Sequence, residues 1–220
     1  MASSTARGSS GTVKLRADAA RNRTQVLAAA RTAFRELGTA APLDEIARRA
    51  GVNIATLYRR FPDRDALIRQ VVVDGFTLVL QAAQAALQSA EQDPLGAIEN
   101  YLLQVVDQRD LIVLPLAGGP VTDDPEANAL QQQIAAALDE LIATARTKGA
   151  IRTDVTAVDL TITSVLICRP MPYLPTEDAT ALVTRHARIF IAGLAPGAAQ
   201  PLPAPPAYED ITSRHLSQTI

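Results

Sequence analysis

In the run LDEIARRAGVNIATLYRRFP, residues 43–62, the side chains able to do chemistry are Ala55, Thr56, Tyr58, Arg59 and Arg60. At about 100° per residue, Ala55 and Arg59 lie opposite Leu57 on a helix, with Thr56 beside them and Tyr58 and Arg60 on the flanks. Arginine pairs with two acceptors on the guanine edge, and an Ala or Thr methyl meets the thymine methyl, so this face suits base reading in a major groove. Tyr58, Arg60 and Arg64 are then placed for phosphates along the rims. A plain helical hairpin with solvated arginines has the same spacing, and spacing alone does not separate the two.

A surface of this kind needs a short, well-stopped helix held on a second one. Leu43, Ile46, Ala47 and Ala50 fall at i, i+3, i+4 and i+7 and make one face of a helix. Gly51 supplies the backbone freedom to end it and turn. Asn53 suits the N-cap of the next helix, and Val52 can staple onto Leu57 four positions into it. Leu57 and Phe61 share the inner face, and Pro62 stops the helix. Two short helices joined by such a turn form a helix-turn-helix.

The run IARRAGVNIATLYRRFPDRDAL, residues 46–67, resembles the helix-turn-helix of the tetracycline-repressor (TetR) family, IA-x-x-AGVS-x-x-T-L-Y-x-H-F-x-x-K-x-x-L. The likeness is specific there, extends loosely back to Asn22 and is weak beyond about residue 75. Asn53, Arg60 and Arg64 stand for the usual Ser, His and Lys and keep a capping or cationic role. Pro42 replaces a Ser or Thr that in the family often binds phosphate, so that contact is expected to be missing. The resemblance implies an all-α fold: an N-terminal three-helix DNA-binding domain, then a helical ligand-binding and dimerisation domain. It also implies a homodimer on a palindromic double-stranded DNA operator, most simply a repressor released by a small-molecule effector.

Composition agrees with helices. The chain has 220 residues, 48% of them hydrophobic and 4% aromatic, with no Trp, and a mean hydropathy of +0.09. Net charge is −2, but residues 1–70 carry 13 Lys or Arg against 6 Asp or Glu, while residues 71–220 carry 8 against 17. A basic unit facing a polyanion, joined to an acidic one facing something else, explains that asymmetry. Four segments follow. Residues 1–17, with Arg7, Lys14 and Arg16, read as a disordered basic arm. Residues 18–63 read as the DNA-binding domain, 64–194 as the regulatory and dimerisation domain, and 195–220, with five of the 14 prolines, as a disordered tail.

Within these bounds a first helix is expected over residues 18–37, with Val26, Leu27, Ala30, Phe34 and Leu37 inward. A long helix should run from 64 to 89, interrupted only by Gly75, and others over 94–107, 125–148, 156–169 and 176–194. A short apolar segment, 110–116, precedes the break at Gly118, Gly119 and Pro120. The helix at 156–169 is apolar nearly all round, and Leu182, Val183, Phe190 and Leu194 form a stripe on the last one; these two are expected to make the dimer interface, with Leu166 and Phe190 in it.

No enzyme constellation emerges. His186 and His215 are the only histidines, and metal-binding, nucleophile-elbow and phosphate-loop motifs are missing. Asp123 with Asp124, and Asp139 with Glu140, read as solvated or capping acids. Cys168 reads as a small buried apolar residue, and a lone cysteine fits a reducing compartment. No stretch reaches 18 consecutive apolar residues, so the expectation is a cytoplasmic protein that needs neither membrane nor cofactor nor metal. An effector pocket is expected between the long helix and those at Tyr101, 125–148 and 156–169, with Tyr101, Thr163, Arg169 and His186 as polar candidates. For His186 an interface or core role is the plainer reading. The competing function is an all-α small-molecule carrier or helical enzyme with a purely structural hairpin; its duplex affinity would be nil at every salt concentration. The expected DNA-binding residues are Asn53, Ala55, Thr56, Tyr58, Arg59, Arg60 and Arg64.

Overall fold

The structure, a computed structural model, describes residues 9–112, 124–171, 174–197 and 200–204, with the backbone alone for 9–19. Eight helices and no strand are found among the described residues. The chain forms two compact units, Met1–Ile68 and Arg69–Ile220. The fold is all-α.

In the first unit, helix α1 (Ser9–Leu37) starts nine residues earlier than the sequence suggests, so residues 9–17 are helical rather than an irregular arm. Arg7 lies outside the described residues. Val26, Leu27, Ala30, Ala33 and Phe34 are buried along its inner face, while Leu37, in the last turn, is exposed. Helix α2 (Leu43–Arg49) has Asp44 and Glu45 in its first turn and Arg48 and Arg49 in its last, the order that suits the helix dipole. Pro42 is its N-cap and offers no capping side chain. Gly51 takes φ +66°, a left-handed conformation that closes α2 and lets the Val52 N–H donate to the Ala47 carbonyl at 3.1 Å. Helix α3 (Ile54–Arg60) follows after only four residues. Helix α4 (Arg64–Ser89) is capped by Asp63, whose carboxylate accepts from the Ala66 N–H at 2.7 Å.

Helix α4 runs unbroken through Gly75 and on into the second unit. By length and composition it could cross a bilayer, but 61% of its most apolar stretch is buried within the protein, as in a core helix. The second unit is organised around helix α5 (Pro94–Asp107), which packs against α6 (Pro125–Thr147), α7 (Ala157–Ile167) and α8 (Thr176–Gly193). Ile98, Tyr101, Leu102, Val105 and Val106 of α5 meet a core that includes Leu138, Leu141 and Ile142 of α6 and Leu160 of α7. Asp93 and Asp124 cap α5 and α6 with their carboxylates. Most of the segment 110–116, the break at 118–120, and Asp123 lie outside the described residues.

The chain just after α8, where a disordered tail is expected, is irregular but makes specific hydrogen bonds. The Arg152 N–H donates to the Leu194 carbonyl at 2.9 Å, and its guanidinium donates to the Gln200 carbonyl at 2.6 Å. Asp154 accepts from the Leu202 N–H at 2.8 Å. Two charged side chains therefore fasten Gln200 and Leu202 onto the loop between α6 and α7. Residues 205–220, with His215, lie outside the described ones. The Arg152 guanidinium, and after it the Leu202 amide, hold the Asp154 carboxyl well below the usual carboxylate range. A carboxylate lowered in this way supports the fastened state above its unfolded value and loses that support as pH falls through its native one. The Leu202 amide resonance should therefore stay at its native position in mild acid and begin to move only below about pH 4. In Asp154→Asn it should already be displaced at neutral pH; an unchanged resonance would mean that Asp154 does not hold the segment.

Candidate nucleic-acid interface

Helix α3 is held by one residue and displays the rest. Leu57 is its single fully buried side chain, and Phe61, just past its end, is buried beside it. The Asn53 side-chain oxygen Oδ1 accepts from the Ala55 N–H at 2.8 Å, so Asn53 is the N-cap. Ala55, Tyr58, Arg59 and Arg60 are exposed and Thr56 is half-buried. The Arg59 guanidinium donates to the Thr56 hydroxyl at 3.0 Å, bringing together the two residues best suited to read base edges. A seven-residue helix pinned by a leucine, with its polar outer face uncovered, is the geometry of a recognition helix.

Arg64 does not belong to that outer face. Its guanidinium is partly buried and donates to the backbone carbonyls of Thr39, at 2.9 Å, and of Ala41. It ties the start of α4 to the loop between α1 and α2. Nη1 is thus committed to the fold, and the expected phosphate contact would fall to the remaining guanidinium donors. Helix α2 carries cations that the sequence reading passed over. Arg48 makes a two-pronged pair with Glu45 at 2.7 Å, and Arg49 bridges Glu45 and Glu36 at 2.7 and 2.6 Å. Arg48, then Arg49, lower the Glu45 carboxyl to about 2, so it is ionised at any working pH. The Arg48 side chain is 72% exposed, which makes it a phosphate candidate on the helix that crosses the DNA backbone in such motifs. Its signal was the Arg48-Arg49 pair in the last turn of α2.

The four expected effector residues differ in their burial. Tyr101 is buried in α5, Thr163 is half-buried in α7, and Arg169 and His186 are exposed. His186 turns Nδ1 to the Leu182 carbonyl of its own helix at 2.9 Å. Exposed side chains do not line an enclosed apolar pocket. An open groove of about 700 Å³ lies instead in the first unit, between Gln25, Ala28 and Thr32 of α1 and Arg48 and Arg49 of α2. Cys168 is buried, and burial pushes its thiol up to about 12, far from a reactive thiolate. Among the described residues no cluster of three metal-ligating side chains forms.

Residues 26–71 match the model of bacterial regulatory proteins of the tetR family, and residues 93–196 match that of the SbtR-like transcriptional regulator C-terminal domain. The solved TetR transcription regulatory protein from Mycobacterium vanbaalenii is 31% identical, with a TM-score of 0.54 over 82% of this chain and 99% of its own. The chain belongs to the TetR family. TetR transcriptional regulator SCO0520 from Streptomyces coelicolor is 29% identical, with a TM-score of 0.55 over 80% of this chain and 99% of its own. The HTH-type transcriptional regulator NfxB of Pseudomonas aeruginosa is 35% identical over 124 residues, which are 55% of this chain and 65% of that protein. The chain thus spans about two-thirds of the curated relative it matches. As a TetR-family protein it is a DNA-binding transcriptional regulator, and its relatives are regulators rather than enzymes.

The geometry separates Arg59 from Arg64. Arg59→Ala should weaken binding by about 1–3 kcal/mol and relax preference at one base position, with the melting temperature unchanged. Arg64→Ala should cost stability, about 1.5–3 kcal/mol for its charge-assisted bonds to two carbonyls, and weaken binding to every sequence alike. Thermal melts beside binding to a panel of point-mutated duplexes check both. An Arg59→Ala protein with unaltered affinity and preference would mean that the outer face of α3 is not the reading surface.

Proposed function

We propose that this chain is a cytoplasmic homodimeric repressor that holds a palindromic operator and is released by a small apolar ligand. The uncovered outer face of α3, with Arg59 and Thr56 at its centre, is the observation that carries the DNA-binding half of this reading. Ala55 and Thr56 would meet thymine methyls, Arg59 a guanine, and Tyr58, Arg60 and Arg48 the phosphates. Two such helices read a palindrome only when the dimer spaces them about 34–36 Å apart, one turn of DNA.

Dimerisation draws its support from α7 and α8. Leu166 is 63% exposed, Leu182 40% and Ile189 55%, three large apolar side chains left uncovered on two helices that pack together. The stripe differs from the expected one. Val183 and Leu194 face the core of the protomer and Phe190 is half-buried, whereas Leu182 and Ile189, seven apart, point out. Effector control would require a ligand that binds two arrangements of the regulatory helices unequally. The apolar helices of Arg69–Ile220 are its expected site.

Duplex binding measured across salt tests the DNA reading: log affinity should fall linearly with log salt, by close to one unit per phosphate contact. Affinity that is absent at all salt concentrations would sink it. Leu166→Glu with Ile189→Glu should give a helical monomer with operator affinity reduced by roughly 10²–10⁴, the share that simultaneous engagement of two half-sites contributes. A dimer that survives both changes moves the interface elsewhere. Apolar compounds that raise the melting temperature should also displace operator; stabilisation without displacement would end the ligand-release proposal.

A further inference from the structure

The start of α4 carries a second tether besides Arg64. Arg69 donates from Nε to the Asp124 carboxylate and from Nη2 to Glu126 at 3.0 Å. Asp124 is the N-cap of α6, where its other oxygen accepts from the Ala127 N–H at 2.9 Å. Both of its oxygens are engaged, and its side chain is only 10% exposed, so one nearly buried carboxylate starts α6 and holds α4. Arg64 stands five residues earlier on the same helix, about 7.5 Å along its axis, and is held by the carbonyls of Thr39 and Ala41. Each of the two compact units thus grips α4 by an arginine within its first two turns.

We propose that the Arg69–Asp124 pair determines which half-site spacing the dimer accepts, by fixing the direction in which α4 leaves the regulatory helices. The inference rests on the dimeric, operator-binding reading above and gives this pair a role within it. A bivalent binder gains from its second contact only if the geometry allows both at once, and a stiff connection sharpens that condition. Glu126 is 58% exposed and adds little, as surface ion pairs do. Asp124 matters more, because a carboxylate so little exposed is costly to leave without its cation.

The test uses the full chain and duplexes carrying either one half-site or two, the two set at the preferred spacing and at one or two base pairs more or fewer. Asp124→Asn keeps an amide oxygen to cap α6 but removes the charge; Arg69→Gln removes the cation and leaves the cap untouched. Both should lose about tenfold on the preferred two-site duplex, a fraction of the bivalent gain, and less on the other spacings, so that the spacing profile flattens. Affinity for a single half-site should not change, and Arg69→Lys should restore most of the profile. An unaltered profile in both variants overturns the proposal. So does a matching loss on the single half-site, since the pair would then serve the fold rather than the spacing. Failure of the unmodified chain to bind any duplex would instead defeat the DNA-binding reading, so the two failures are distinguishable.

Discussion

Arg64 is where the DNA-binding unit is closed. Its guanidinium takes up two carbonyls of the loop between α1 and α2, groups that would otherwise be left without donors where the chain leaves one helix and enters another. Because Arg64 is also the first residue of α4, the same bonds fix where that 26-residue helix begins. The position of α3 follows from this arrangement. It has one fully buried side chain, Leu57, and with Phe61 behind it depends on the surrounding core being complete. A recognition helix that contributes so little to its own anchoring is free to spend its other positions on DNA, and the cost of holding it falls on its neighbours.

The helices were largely legible in the sequence because their ends are set by local chemistry. Gly51, Asn53, Pro62, Asp93 and Asp124 each act on backbone groups within a few residues, and the bounds of α2 to α6 follow from them. The structural side of Arg64 was hidden for the opposite reason. Its carbonyl partners lie 23 and 25 residues upstream, and in one dimension a cation at a helix start looks like a phosphate contact. The outer stripe of α8 shows a different limit. Both Val183 with Phe190 and Leu182 with Ile189 are apolar pairs seven apart, and periodicity gives the columns without saying which one faces the protomer's own core. The effector residues were the least legible, since whether Tyr101 or His186 lines a cavity depends on packing among helices far apart in sequence.

Electrostatics divides the labour between the two units. In the first, Glu45 and Glu36 hold Arg48 and Arg49 in place, so that cations near the reading face are ordered before any polyanion arrives. In the second, charged side chains do mechanical work: Arg69 with Asp124 joins α4 to the start of α6, and the paired Arg152 and Asp154 hold Gln200 and Leu202. Neither group is a catalytic arrangement, and both become intelligible in a protein whose output is a binding equilibrium rather than a reaction.

The burial of Cys168 has a practical consequence. It is the one cysteine in the chain, and its thiol is both enclosed and held in the neutral form. A cysteine introduced on the exposed side of α3 would be the sole reactive thiol in each protomer. A dimer labelled there with paired spin or fluorescent probes would report the separation of its two reading helices as a distance, with the native background already silent.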